Sequence, residues 1–144
     1  MHDCVVDATL IYKANGDLEG RRAGNILDRR LRVLEQIGSG VRRLRYNQKL
    51  FAEYRQVVPK PRNDIVEIFF AALSDRGVFV GRNKLMRHQY AKAIQTCRWP
   101  SHDQHLLVAA IGGIHPSIVV TEQAHVNCAS CIQRQFAVRV ENLG

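Results

Sequence analysis

Long apolar runs are missing from this 144-residue chain. No stretch approaches the roughly eighteen consecutive apolar residues that a membrane-spanning helix needs. The first residues also lack a basic region followed by a long apolar segment, which is the pattern of an export signal. We therefore expect a cytoplasmic protein with no membrane partner.

Cysteine is scarce as well, with four residues at Cys4, Cys97, Cys128 and Cys131. They are too few and too unevenly spaced to predict a disulfide framework, which favours a reducing compartment. His125, Cys128 and Cys131 have the spacing of a partial zinc site, but no second cysteine pair accompanies them. Cys97 or His102 would have to complete the ligand shell, so buried thiols are the favoured interpretation over a zinc or redox role.

Repeats and low-complexity segments are also absent, and 46% hydrophobic with 24% charged residues is typical of one globular domain, here residues 1–144. The charges are unbalanced. Twenty-one Lys and Arg residues against thirteen Asp and Glu residues give a net charge of +8. This balance favours a polyanionic partner such as nucleic acid. The arginine-rich stretch 21–45 is the best candidate for RNA backbone contact, although a solvated helix face is the usual explanation of such a run.

Short apolar strands alternate with amphipathic helices along the whole chain. The predicted strands cover residues 4–6, 41–46, 78–80, 117–120 and 136–140. Helices are predicted to follow Asp7, to cover 26–37, and to begin at Asn47, at Asn63 or Asp64 and at Ser101. The segment 81–97 is predicted to be mostly helical, and 125–135 to be a short helix or turn. Ser101 and Gln104 have the spacing of a capping box. This alternation predicts an α/β fold with a central, mainly parallel sheet covered by helices on both faces.

Three acidic residues occupy positions that suit chemistry. Asp7 directly follows the first buried strand, where ligands of open α/β sheets collect, although it could simply cap the next helix. Asp103 lies on the inward stripe of the helix that begins at Ser101. Glu53 lies on the flank of a buried helix face, where pairing with Arg55 or Arg42 is the simpler explanation. His102 and His105 bracket Asp103, as surface residues or as groups that touch substrate phosphate.

Carboxylates that converge within a few ångströms repel one another unless a cation lies among them. Oxygen ligands suit Mg²⁺ or Mn²⁺ rather than zinc. Such an ion can activate water for in-line attack on a phosphodiester, and basic side chains can hold the polyanion. If the three acids meet at one edge of the sheet, they predict a metal-dependent phosphodiester hydrolase.

Four segments resemble, in the same order, the signature segments of PIN-domain nucleases, and the resemblance spans nearly the whole chain. They are residues 5–11, 50–58, 103–110 and 118–121. The resemblance implies a three-layer α/β/α sandwich and a Mg²⁺- or Mn²⁺-dependent ribonuclease. It also implies metal or catalytic roles for Asp7, Glu53 and Asp103, with Thr9 and Thr121 in support.

The fourth acidic position of the family departs from its usual pattern. This chain has Gln123 where the family usually has Asp, and Glu122 stands one residue earlier. Either Glu122 becomes the ligand, or Gln123 holds a water through its amide, or the metal site is weakened. The last possibility leaves a second hypothesis, a catalytically weak or inactive RNA-binding or protein-interaction domain. Stand-alone PIN domains are frequently toxins, so the resemblance further implies a cognate antitoxin and a homodimer.

Overall fold

The computed structural model describes residues 2–16, 18, 25–81, 88, 91–92, 95–111, 117–121 and 128–143. Its strands are β1 (His2–Val6), β2 (Arg42–Tyr46), β3 (Val78–Phe79), β4 (Ile118–Thr121) and β5 (Arg139–Asn142). Its helices are α1 (Ala8–Ala14), α2 (Ile26–Gly38), α3 (Gln48–Val57), α4 (Asp64–Arg76), α5 (Gln104–Ile111) and α6 (Ala129–Phe136), and a 3₁₀ turn (Ser101–Asp103) precedes α5.

The five strands form one sheet in the order β3-β2-β1-β4-β5, and every neighbouring pair is parallel. The fold is thus an α/β sandwich with a central parallel sheet, which confirms the predicted class. β1 lies in the middle because its side chains are apolar and wholly buried from Cys4 to Val6. A strand buried on both faces is expected to read as a continuous apolar run.

Asparagine side chains start three of the helices. Asn25, Asn47 and Asn63 each accept a hydrogen bond through Oδ1 from the backbone N–H three residues later, at 2.8 to 3.0 Å. Asp7 caps α1 in a similar way by accepting from the N–H of Thr9 at 3.2 Å. These bonds satisfy backbone donors that have no partner inside a helix, so the predicted starts at Asn47 and Asn63 are confirmed.

Two predicted boundaries are wrong. Residues 101–103 form a 3₁₀ turn with Pro100 at the capping position and no side-chain cap, so Ser101 and Gln104 do not make a capping box. The last strand begins at Arg139 instead of residue 136, because Phe136 completes α6 and Ala137 then adopts the left-handed conformation (φ 56°). The segment 81–97, predicted as mostly helical, lies largely outside the described residues. No described helix is long and apolar enough to cross a membrane.

Candidate functional site

Three polar residues end three neighbouring strands at one edge of the sheet. Asp7 follows β1, Asn47 follows β2 and Thr121 is the last residue of β4. Because the strands are parallel, all three lie at the carboxyl edge, where ligands of open α/β sheets bind. All three side chains are buried. The strand ends thus supply a carboxylate, an amide and a hydroxyl in adjacent positions.

The Asp7 carboxylate has two roles at once. Oδ1 accepts from the backbone N–H of Thr9 at 3.2 Å, whereas Oδ2 accepts from the hydroxyl of Thr121 at 3.3 Å. The capping role considered from the sequence is therefore observed, and it leaves the second oxygen directed to a neighbouring strand. An ionised carboxylate offers about four lone-pair positions, so these two bonds leave capacity for a cation or a water.

Glu53 contacts a partner that the sequence did not suggest. Its Oε2 lies 3.0 Å from Nε2 of His105, which is buried, and the Glu53 side chain remains 31% exposed. The predicted ion pair with Arg42 or Arg55 is wrong. Arg42 binds Glu141 instead, and Arg55 stacks over two phenylalanine rings. The flank position is confirmed, but the contact joins α3 to α5.

Asp103 is buried in the 3₁₀ turn that precedes α5, as its position on the inward stripe predicts. Its Oδ2 lies 3.4 Å from Nε2 of the exposed His102, and its backbone carbonyl accepts the indole N–H of Trp99 at 2.9 Å. The wholly buried Trp99 therefore anchors this turn to the core. Since α5 returns the chain to the start of β4, its beginning lies at the carboxyl edge.

Tyr54, a buried residue of α3 next to Glu53, links that helix to the end of β1. Its hydroxyl donates to the carbonyl of Val6, the residue before Asp7, at 2.6 Å. Burial raises the pKa of Tyr54 well above its ordinary value, and the nearby acidic groups, including Asp7 and Glu53, raise it further. The sequence offered one indication of this role, which is that Tyr54 directly follows Glu53.

Asn47 ties the same region together through its amide, which donates to the backbone carbonyl of His105 at 3.0 Å. The start of α3 is thereby fixed to the first turn of α5. The sequence indicated only a helix cap for Asn47, and it favoured a surface position for His105. For Asn47 the available signal was its place directly after a strand, which matches that of Asp7.

The described residues contain no group of three or more His, Cys, Asp or Glu side chains arranged to hold a metal ion. Direct hydrogen bonds connect Asp7 with Thr9 and Thr121, whereas Glu53 and Asp103 contact different histidines. Glu122 and Gln123, the candidates for the fourth position, lie outside the described residues. The described part thus supplies carboxylates around one edge without a complete protein ligand set.

The arginines of β2, which belong to the stretch predicted to contact RNA, bind other residues of the chain. Arg43 makes two hydrogen bonds to Asp3, and Arg45 is buried and donates to Ser117 at 2.9 Å. Burial lowers the pKa of Arg45. Together with Arg42, these side chains join strands and their flanking segments. In the described part of the predicted stretch, the exposed arginines are Arg29 and Arg32 on α2 and Arg43 on β2, and RNA contact by this stretch stays a prediction.

The cysteines also differ from expectation. Cys97 and Cys131 form a disulfide, so neither sulfur is a thiolate available to zinc. Cys4 and Cys128 are buried free thiols, which agrees with the interpretation made for small buried cysteines. Burial raises the pKa of both thiols, that of Cys4 to about 12. A disulfide is more typical of oxidising environments, and the cytoplasmic location stays a prediction.

Comparison of the chain with protein-family models, with curated proteins and with solved structures finds no match in any of the three.

Proposed function

We propose that this protein is a Mg²⁺- or Mn²⁺-dependent ribonuclease of PIN type, with its active site at the carboxyl edge around Asp7. The observation that carries the proposal is the junction of β1 and β4, where the buried Asp7 carboxylate accepts the Thr121 hydroxyl. A buried carboxylate on a strand end, held by hydroxyl and amide donors, is suited to chemistry at a sheet edge.

The other two acids approach the same edge through named contacts. Glu53 precedes Tyr54, whose hydroxyl binds the carbonyl directly before Asp7. Asp103 ends the 3₁₀ turn that precedes α5, and His105, in the first turn of α5, contacts Glu53. These contacts support the inference that three distant parts of the chain serve one site.

The donor set fits the proposed ion. Asp7, Glu53 and Asp103 offer only oxygen ligands, which suit Mg²⁺ or Mn²⁺. Mg²⁺ usually keeps several waters and takes one or two protein carboxylates plus substrate phosphate oxygens. A complete three-residue protein cage is therefore not required. When bound, such an ion polarises the scissile phosphate and activates water for attack.

Each residue then has a stated role. Asp7 and Asp103 would hold the ion, and Glu53 would bind it or accept a proton from the attacking water. His105 would orient Glu53 through the 3.0 Å contact, and Thr121 would orient Asp7. Glu122 or Gln123 would contribute through a bound water. A cognate antitoxin and a homodimer stay predictions of the resemblance.

Two substitutions test the proposal by removing charge with little change in shape, Asp7→Asn and Asp103→Asn. Asparagine is as good a helix cap as aspartate, so Asp7→Asn can keep the bond to Thr9. Cleavage of single-stranded RNA in Mn²⁺ should fall by more than about 100-fold, because losing outer-shell partners of a metal alone costs roughly 10- to 100-fold. Asp75→Asn, which changes an exposed carboxylate on α4, is the matched control and should cleave normally.

The second candidate is a non-catalytic RNA-binding domain. It is favoured by Gln123 at the fourth position and by the lack of a three-ligand group among the described residues. Salt-sensitive RNA binding without cleavage or Mn²⁺ uptake would select it. Cleavage that survives in both Asp variants would contradict the first proposal.

A further inference from the structure

A cleft of about 480 Å³ opens beside the proposed site, between the start of α3, the end of β3 and the first turns of α5. Its lining includes Asn47, Gln48, Lys49, Phe79, Val80 and His105. The start of α3, the end of β3 and the start of α5 all lie at the carboxyl edge of the parallel sheet. The cleft and Asp7 therefore belong to the same edge of the molecule.

One wall of the cleft carries an aromatic ring that the core does not bury. Phe79 is 58% exposed, and its ring meets that of Tyr46 edge-on, with centroids 5.6 Å apart. Tyr46 is in turn 6.1 Å from the ring of Phe51. An exposed aromatic ring braced by others is a rigid surface on which a flat ligand can stack.

One end of the cleft is polar and cationic, next to apolar side chains such as Val80. Gln48 and Lys49 lie in the first turn of α3, and both are exposed residues that line the cleft. His105 is more than nine-tenths buried; its Nδ1 has no hydrogen-bond partner among the described residues, while Nε2 lies on Glu53. A buried nitrogen without a partner costs stability unless a ligand or water satisfies it. The cleft thus combines an exposed aromatic ring with a cationic side chain.

We propose that this cleft is a nucleotide subsite for single-stranded RNA, in which a base stacks on Phe79 and the adjoining phosphate binds Lys49. The assignment rests on the proposed function for the identity of the polymer. A base must be unpaired and unstacked to lie on a protein ring, so the subsite selects single strands over duplexes. Charge complementarity agrees, since the chain carries a net charge of +8.

A second cleft, of about 660 Å³, provides an internal comparison. Its lining includes Tyr12, Val57, Lys60 and Arg62, close to the C-terminal ends of α1 and α3. Those helix ends point away from the carboxyl edge. Tyr12 is 62% exposed, similar to Phe79, so the two clefts offer matched aromatic and cationic groups at opposite ends of the helices.

The test measures binding of a fluorescently labelled ten-nucleotide single-stranded RNA by anisotropy, with the full chain in EDTA so that no cleavage occurs. Phe79→Leu keeps an apolar side chain but removes the aromatic face. Stacking is worth roughly 1–3 kcal/mol per base, so affinity should fall about 5- to 150-fold. Phe79→Tyr should bind as the original chain does, and Tyr12→Leu is the matched control.

Lysine variants give a second readout. Lys49→Ala should reduce the slope of log affinity against log salt by about 0.7, the value for one phosphate contact on a single strand. Lys60→Ala, in the second cleft, should leave the slope unchanged. A duplex of the same sequence should bind the original chain less tightly than the single strand does. The affinity for the duplex should be the same for Phe79→Leu as for the original chain.

The outcomes separate this proposal from the nuclease. RNA affinity that depends on Phe79 supports the subsite even if no variant ever cleaves RNA. If Phe79→Leu binds like the original chain, or loses no more affinity than Tyr12→Leu, the subsite is wrong, even if Mn²⁺-dependent cleavage is observed.

Discussion

Removing one oxygen atom from Tyr54 tests how the acidic positions are held together. The Tyr54 hydroxyl donates to the carbonyl of Val6 at 2.6 Å, near the short end of the range for O–H···O bonds. Tyr54 and Val6 are both fully buried, so water cannot replace the lost donor. Tyr54→Phe keeps the aromatic ring and its edge-on contact with Phe69 at 5.8 Å. The change is therefore confined to one hydrogen bond.

Leaving a buried carbonyl without its donor costs about 1–3 kcal/mol. We expect Tyr54→Phe to lower the free energy of unfolding at pH 7 by that amount, measured by urea denaturation followed by circular dichroism. Tyr12→Phe is the matched control, since Tyr12 is 62% exposed and also lies on a helix. It should change stability by less than about 0.5 kcal/mol.

The pH dependence gives an independent check on the same residue. Because burial raises the folded-state pKa of Tyr54 above its ordinary value of 10.0, its contribution is fully present below pH 10 and is lost as pH rises further. Phenylalanine cannot ionise, so the stability difference between the two proteins should shrink above pH 10. A constant or growing difference, or a loss below 0.5 kcal/mol at pH 7, would refute the assigned hydrogen bond.

Two further predictions concern contacts that the sequence did not reveal. For Glu53 and His105, a double-mutant cycle with Glu53→Ala and His105→Ala should give a coupling energy of roughly 0.5–3 kcal/mol in unfolding. Additive effects would contradict the 3.0 Å contact. For the disulfide, Cys97→Ser with Cys131→Ser should lower the free energy of unfolding by about 3–4 kcal/mol, as expected for a cross-link over 34 residues, and dithiothreitol should then have no further effect. Equal stability of that double variant and the oxidised chain would contradict the cross-link.

The sheet could be predicted because its strands are short apolar runs that end at polar residues. The run from Cys4 to Val6 ends at a charged residue. Asn47 and Asn63 could be predicted as helix caps because asparagine is a preferred residue at that position. The parallel class followed from the alternation of strands and helices. The last strand was misplaced because Phe136 and Val138 continue the apolar pattern through the end of α6.

The partners of the site residues were much harder to predict. Periodicity placed Glu53 on a helix flank, but it could not show that a histidine 52 residues later would reach it. The arginines of β2 show the same problem, because alternating charge predicts an exposed face and gives no sign that Arg45 is buried against Ser117. Contacts between distant segments depend on the order of strands in the sheet. Local sequence patterns do not predict that order.

The role of Asp7 illustrates how two explanations can both hold. A cap and a ligand looked like alternatives in the sequence, since either explains an acid after a strand. In the structure the two carboxylate oxygens face different partners, the Thr9 amide and the Thr121 hydroxyl. Helix capping therefore fixes the orientation of the oxygen that the proposed ion would use.

The proposed nuclease requires a divalent ion at Asp7 and Asp103. Titration of Mn²⁺ into the full chain without RNA, followed by the loss of the free Mn²⁺ electron paramagnetic resonance signal, measures that site alone. We expect saturable uptake of one ion, reduced at least tenfold in affinity by either Asp7→Asn or Asp103→Asn and unchanged by Asp75→Asn. The metal site would be contradicted if the original chain took up no Mn²⁺. It would also be contradicted if both site variants bound Mn²⁺ as tightly as the original chain does.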